Sequence, residues 1–305
     1  MIVSAPWKVI ADSVRGTSHV RKQIPNQDAV VFDVADNGTM PVFVAVSDGH
    51  GSDRCFRSDI GARLAVETAL KECRDCLEGL NGASPSEVKD TIQRRFLGQL
   101  VRAWRRCVLE HADEHAFTDA EVATAQVNLS LPVAYGLSEE QTLHAYGATL
   151  LVVMLTEKFA LYLQLGDGEM LVVHETPDQH NPSKLFVEVS RPLPRDESLI
   201  ANETTSLCRD DAERRFRVRL QVFDGELPAL ILICTDGYSN AFESASGFEQ
   251  VGGDLLQALR EQGVDAVSEG FADELENASR VGSGDDVTVA IIFRDNVPAP
   301  LPDAE

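Results

Sequence analysis

MPVFVAVSDGHGS, residues Met40–Ser52, couples a short apolar run to an abruptly polar end. Val42–Val46 is rich in β-branched and aromatic residues and is closed off by glycines, which reads as a buried strand. The strand ends at Asp48, whose carboxylate then stands at the margin of a hydrophobic core, where an unpaired charge is costly. A bound cation would satisfy it. Gly49 lets the chain turn sharply and brings its carbonyl toward whatever Asp48 holds. The plainer alternative is a polar turn capping the helix that follows.

On either side of this strand the pattern alternates between runs of strands and runs of helices. Trp7–Asp12 and Ala29–Ala35 read as strands, separated by the polar loop Val14–Asp28, and Asp36-Asn37-Gly38 is a hairpin turn. Ser58–Gly79 has helical periodicity. Ser84-Pro85-Ser86-Glu87 is a capping box that opens a long helix to about His115. Thr118–Gln141 has no clear period. Gly147–Thr156, Phe159–Leu165 and Met170–His174 form a meander. The segment 176–228 is charge-rich and is expected to be a functional or mobile flap, with Arg209–Arg219 a solvated edge. Ala229–Thr235 is another buried strand, Leu255–Leu259 and Val264–Arg280 look helical, and Val287–Phe293 is the last strand. The expected fold is α+β: a four-layer α-β-β-α sandwich of two antiparallel sheets packed face to face with helices outside. Residues 1–296 form one domain on this reading, and the Pro-rich, acidic tail 297–305 is expected to be disordered.

The chain has 305 residues, 44% hydrophobic and 25% charged, with a formal net charge of −22. Such an acidic surface repels nucleic acid and anionic membranes. The first residues show no secretory signal pattern, and no window approaches the roughly 18 apolar residues of a membrane span. Cys73 and Cys76 lack partners at zinc-site spacing and read as buried thiols, and six reduced cysteines point to the cytoplasm. His111 and His115 share a helix face, but Ala112 replaces the Glu that the zincin pattern requires, so they read as a polar helix end.

Three strands share one feature. Val42–Val46 runs into Asp48-Gly49, Ala229–Thr235 runs into Asp236-Gly237, and Val287–Phe293 follows Asp285-Asp286. If the last strand is antiparallel to the other two, these carboxylates gather at one end of the sheets, and Asn26-Gln27-Asp28 can join them. Crowded carboxylates raise one another's pKa, and hard divalent cations relieve the repulsion. An all-oxygen set suits Mg²⁺ or Mn²⁺, and two such ions can clamp a phosphoryl group.

NQDA at 26–29, SDGHGS at 47–52, GATL at 147–150, GDGE at 166–169, TDGYSNAF at 235–242 and GDDVTVAII at 284–292 resemble the successive motifs of type 2C metal-dependent serine/threonine phosphatases, bacterial branch. The resemblance spans nearly the whole chain. It implies a β-sandwich between helical layers, two Mn²⁺ or Mg²⁺ ions and a flap beside them. Asp48 then matches the ligand bridging both ions, with the Gly49 carbonyl on the second, while Asp236 and Asp285 complete the first. His50 matches the position proposed as general acid. Arg21 resembles the Arg that forks onto the substrate phosphate, although two extra residues separate it from NQD. Asp167 resembles a structural turn Asp rather than a ligand. Gln27 stands where many members carry a metal-binding Glu, leaving Asp28 as the charge on that loop, and Asp286 replaces a usual Asn. His144 and Tyr146 stand where some members place a third-metal Asp, so two ions are implied.

The leading reading is a monomeric phosphatase in which a metal-bridging hydroxide attacks phosphoserine or phosphothreonine of a protein, with a Ser/Thr kinase or its target as partner. A non-catalytic type 2C-like binding domain and a metal-dependent hydrolase of a small phosphorylated molecule are the alternatives. The first alternative predicts a broken ligand set, whereas Asp48, Asp236 and Asp285 are all present.

Overall fold

A computed structural model describes residues 6–80, 82–129, 137–177, 185–194 and 205–295. In chain order the elements are β1 (Trp7–Val14), α1 (Thr17–Lys22), β2 (Asp28–Asp33), β3 (Val42–Asp48), α2 (Ser58–Gly79) and α3 (Pro85–Thr91). A π turn at Ile92–Phe96 joins α3 to α4 (Leu97–Glu114), followed by α5 (Asp119–Leu129), α6 (Glu139–Ala145), β4 (Leu150–Leu155), β5 (Phe159–Leu165) and β6 (Glu169–Pro177). Then come β7 (Leu185–Ser190), α7 (Ala212–Arg215), β8 (Arg217–Val222), β9 (Leu230–Cys234), α8 (Asp236–Ser239), α9 (Ala245–Gln262), α10 (Val264–Val281) and β10 (Val287–Arg294).

The strands form two five-stranded antiparallel sheets, ordered β1-β10-β9-β6-β7 and β2-β3-β4-β5-β8. The central strands are apolar without interruption because both of their faces are buried. In β3, Val42, Val44 and Val46 face the other sheet, where they meet Ile231, Ile233, Ala290 and Ile292. Phe43 and Ala45 face the opposite way, into a layer built on α2 and α4 with Trp104 and Phe96 at its centre. On the far side Leu230, Leu232, Ile291 and Phe293 pack against Leu255, Leu256, Phe271 and Leu275 of α9 and α10. Period-two alternation thus feeds three apolar layers, and the α-β-β-α sandwich follows from it.

Several local readings change. The loop after β1 contains α1. In the described parts of 118–141 the chain is helical rather than irregular: α5 covers Asp119–Leu129 and α6 begins at Glu139. Each opens with a capping box, with no apolar stripe to announce the helix behind it. Thr118 and Glu121 exchange bonds of 2.7 and 3.3 Å, and Ser138 and Gln141 exchange bonds of 2.8 and 3.3 Å. The helix after Ser84 is not uniform, since the π turn interrupts it. Within 176–228, β7 and β8 close one edge of each sheet, so the segment supplies edge strands as well as loop. The proposed tail 297–305 lies outside the described residues. Cys73 and Cys76 are free thiols, as are the other four cysteines. His111 and His115 stack with ring centroids 4.2 Å apart, and His111 Nδ1 bonds the Tyr146 hydroxyl at 2.8 Å, so this helix end is tied inward. Among the described residues no helix is long and apolar enough to cross a membrane.

Candidate active site

Antiparallel pairing brings the acidic strand ends together. Asp28 and Asp48 are direct register partners across β2 and β3. Asp48 is fixed through its backbone: its N–H donates to Thr149 Oγ1 at 2.9 Å, and its carbonyl accepts from Thr149 N–H at 2.8 Å. Asp236 follows β9 directly and accepts from Asn240 Nδ2 at 3.0 Å. Asp167 lies in the β5–β6 turn, and the carboxylates of Asp48, Asp167 and Asp236 place oxygens within 4.8 Å of one another. Asp28 is buried beside them and accepts from Thr235 Oγ1 at 2.8 Å.

The close approach depends on two glycines. A Cβ on Gly49 would lie 2.5 Å from the Ser58 carbonyl oxygen and 2.6 Å from that of Gln27. A Cβ on Gly237 would lie 1.9 Å from the Asp286 carbonyl oxygen. Neither backbone can yield without separating the strand ends, so the glycine after each Asp is a packing requirement.

The electrostatics are those of a site short of positive charge. Burial, then the charge of Asp286, holds Asp28 well above the usual carboxylate range. Burial, then the charges of Asp28 and Asp236, does the same to Asp48. Burial and the Asp167 charge push Asp236 up to about 6. Asp48 and Asp236 are coupled, and the charge of Asp236 adds to the rise of Asp48. The leading influences on these three acids are burial and one another's charge, and no Lys or Arg stands among them. Crowded oxygen donors, half-buried at the strand ends and repelling one another, fit one or more hard divalent cations.

Gln27 is buried and donates from Nε2 to Ser58 Oγ at 2.6 Å, while its backbone carbonyl accepts from Gly49 N–H at 3.0 Å. Its Oε1 is buried without a hydrogen-bond partner among the described residues and faces the Gly49–Gly51 loop, 3.5 Å from where a Cβ on Gly51 would stand. An orphaned oxygen at that point fits a neutral ligand.

His50 donates its backbone N–H to the Gly147 carbonyl at 3.1 Å. Burial pulls its imidazole below the ordinary histidine value; the Asp167 carboxylate opposes this and His144 adds to it.

Asp285 is placed differently from Asp48 and Asp236. It is exposed, near enough for its charge to raise Asp236, but its carboxylate groups with His19 and Asp286. Asp286 is buried and accepts from three donors on one loop: Gly16 N–H at 2.6 Å, Gln27 N–H at 2.6 Å and His19 Nδ1 at 2.8 Å. It organises the loop that carries Gln27. Arg21 is exposed on α1 with its Nε donating to the Thr17 carbonyl at 3.1 Å, and it forms no ion pair with the carboxylates among the described residues.

Of the residues the sequence singles out, the fold groups Asp28, Gln27, Asp48, Gly49 and Asp236, places Asp285 and His50 at the margin, and leaves Arg21 apart. The sequence reading takes Asp167 as a structural turn residue and not a ligand, whereas the fold places its carboxylate with those of Asp48 and Asp236; Gly166-Asp167-Gly168 carries the same strand-end Asp-Gly signal as Asp48-Gly49 and Asp236-Gly237. His19 is missed because its partner is far away in the sequence.

A double antiparallel sandwich with a buried acidic cluster where the strands end is the architecture of a divalent-metal phosphatase. The chain matches the family model described as Protein phosphatase 2C over residues 15–276, and it belongs to that family. Members are serine/threonine phosphatases that act on phosphoproteins and depend on metal ions. Among solved structures, the chain resembles a bacterial serine phosphatase with a TM-score of 0.53 and 12% identity, covering 97% of this chain and 100% of that one. Serine/threonine phosphatase Stp1 from Staphylococcus aureus superposes with a TM-score of 0.51 at 11% identity, covering 96% of each chain. PppA of Pseudomonas aeruginosa, titled a key regulatory component of T6SS, gives a TM-score of 0.51 at 16% identity, covering 95% of this chain and 98% of that one. These likenesses show a shared fold. No curated protein matches the chain.

Proposed function

We propose that this chain hydrolyses phosphoserine and phosphothreonine in proteins at the acidic cluster, with two Mn²⁺ or Mg²⁺ ions as cofactors. The observation that carries the reading is the convergence of Asp48, Asp167 and Asp236 within 4.8 Å in a setting where burial and mutual repulsion raise Asp48 and Asp236. Asp48, Asp167 and Asp236, with Asp28 beside them, would hold one ion; Asp285, Gln27 Oε1 and the Gly49 carbonyl are the further oxygens available to the pair. When bound, the ions would supply positive charge for the phosphate and would activate water as the nucleophile. The chain's own work is to bring the carboxylates together, keep them under strain until the ions arrive and present His50 to the leaving oxygen. A neutral imidazole cannot donate that proton, so the lowered pKa of His50 confines its role as acid to the lower part of the pH range.

The test measures phosphate release from a phosphothreonine peptide and from a small phosphoester, with Mn²⁺ and with chelator, for wild type and Asp48→Ala. Mn²⁺-dependent turnover of the peptide, lost in Asp48→Ala, supports the proposal. Turnover of the small ester alone favours the small-molecule hydrolase. Binding of the peptide without turnover favours the non-catalytic domain.

A further inference from the structure

Outside the all-carboxylate cluster, one histidine is held as metal-ligating histidines are held. His19 lies on α1 and is 8% exposed. Its Nδ1 is 2.8 Å from Asp286 Oδ2, and its Nε2 points to Asp285 Oδ1 at 3.5 Å. Asp286 accepts two of its three donors on Oδ2 and one on Oδ1, which commits it to holding the loop. Asp285 is exposed, and its Oδ1 also accepts the Asp286 N–H at 2.9 Å, which fixes its carboxylate beside the imidazole.

Metal-binding histidines almost always give their second ring N–H to a carboxylate or carbonyl, which fixes the tautomer and the ring direction. Asp286 does this for His19: with the proton on Nδ1, Nε2 carries a lone pair aimed at the space beside Asp285. Two neighbouring ligand atoms on an octahedral ion with bonds of about 2.1 Å stand about 3 Å apart. The observed 3.5 Å is close to that separation before any ion draws the pair together. The placement of α1 is over-determined. Gly16 N–H donates to Asp286, Thr17 N–H to Ser279 Oγ at 3.1 Å and Ser18 N–H to the Gly284 carbonyl at 2.9 Å. Gly16 has no room for a side chain, since a Cβ would lie 2.3 Å from the Asp285 carbonyl carbon. The imidazole is thus fixed against the Asp285 turn from several directions.

We propose that His19 Nε2 is a metal ligand, so that the ion held by Asp285 carries one nitrogen donor within an otherwise all-oxygen centre. This rests on the reading of Asp285 as a ligand. Its consequence is selectivity: imidazole favours transition metals, whereas Mg²⁺ favours carboxylate, carbonyl and water oxygens. The centre prefers Mn²⁺ over Mg²⁺ more strongly than its carboxylates alone would.

The experiment is pulsed electron paramagnetic resonance of the metal-free protein titrated to saturation with Mn²⁺, with ¹⁵N-imidazole labelling to assign nitrogen couplings. Wild type and His50→Gln show an imidazole nitrogen coupling, and His19→Gln does not. In calorimetric titrations His19→Gln weakens Mn²⁺ binding by about tenfold or more and Mg²⁺ binding by less than about twofold. Mn²⁺ bound to wild type without nitrogen coupling, or a coupling that persists in His19→Gln, overturns the assignment of His19 and leaves the carboxylate centre standing. Failure of wild type to bind Mn²⁺ at all overturns both. Should His19→Gln not fold, the labelled His50→Gln protein decides: a retained nitrogen coupling supports His19, and its loss assigns the coupling to His50 and overturns the proposal.

Discussion

Removing the metal turns the acidic cluster into a measurable liability, and its size follows from Asp236. Its pKa is about 6 in the fold, raised mainly by burial and by Asp167, against an ordinary value of 3.8. A carboxyl whose folded pKa is raised binds more protons folded than unfolded, so its neutral form is favoured in the fold. Stability is fully present below the unfolded pKa and is lost as pH rises through the folded one. The shift of about 2 units corresponds to about 3 kcal/mol, roughly half of it lost by pH 5 and nearly all by pH 7. Asp28 and Asp48, raised for the same reasons, add to the loss in the same direction. Histidines whose pKa is lowered by burial, His50 and His174 among them, act oppositely over part of this window, so the whole-protein slope is not the right observable. The comparison is urea unfolding of metal-free wild type and metal-free Asp236→Asn between pH 5 and 8. Asp236→Asn should be the more stable at pH 7, by up to about 3 kcal/mol, with the gap narrowing toward pH 5. Saturating Mn²⁺ should reverse the order, because only wild type gains the binding free energy of that ligand. A metal-free Asp236→Asn less stable than wild type at pH 7, or a gap indifferent to pH, would refute the claim that the cluster is short of positive charge.

Gln27→Glu should lower the Mn²⁺ concentration for half-maximal activity and lower the metal-free melting temperature, because a further carboxylate joins the buried acids; unchanged values of both would place residue 27 away from the metals. His50→Gln should slow hydrolysis of a phosphoserine peptide more than that of an aryl phosphate, and the deficit should shrink as pH rises past the lowered pKa of His50, as a pH–rate profile of both substrates will show. Arg21→Lys should raise KM for phosphopeptide several-fold while kcat changes less, since the charge stays and the planar fork is lost; equal KM values would assign the phosphate clamp elsewhere. Asp286→Asn should cost about 1–3 kcal/mol in urea unfolding, because an amide offers one acceptor oxygen to three converging donors.

The sandwich was legible because burial on both faces leaves a central strand little choice but an unbroken apolar run, and because a charge can stand only where that run stops. Val42–Val46 before Asp48, and Ala229–Thr235 before Asp236, state both facts at once. Helices α5 and α6 were not legible, since each is announced by one capping pair rather than by an apolar stripe. At the site the same division holds. The acids that end β3 and β9 announce themselves, but Asp167 is disguised as an ordinary turn between two glycines until the sheets bring it to Asp48 and Asp236. Asp286 and His19 are 267 positions apart and carry no local pattern. Their relation also explains the residue type at 286. Gly16 N–H, Gln27 N–H and His19 Nδ1 all need an acceptor at one point, and a carboxylate can accept all three, whereas an Asn there would turn an NH₂ group toward donors. Asp286 and His19 therefore belong together: the carboxylate is needed because the histidine is there, and the histidine is aimed because the carboxylate holds its other nitrogen.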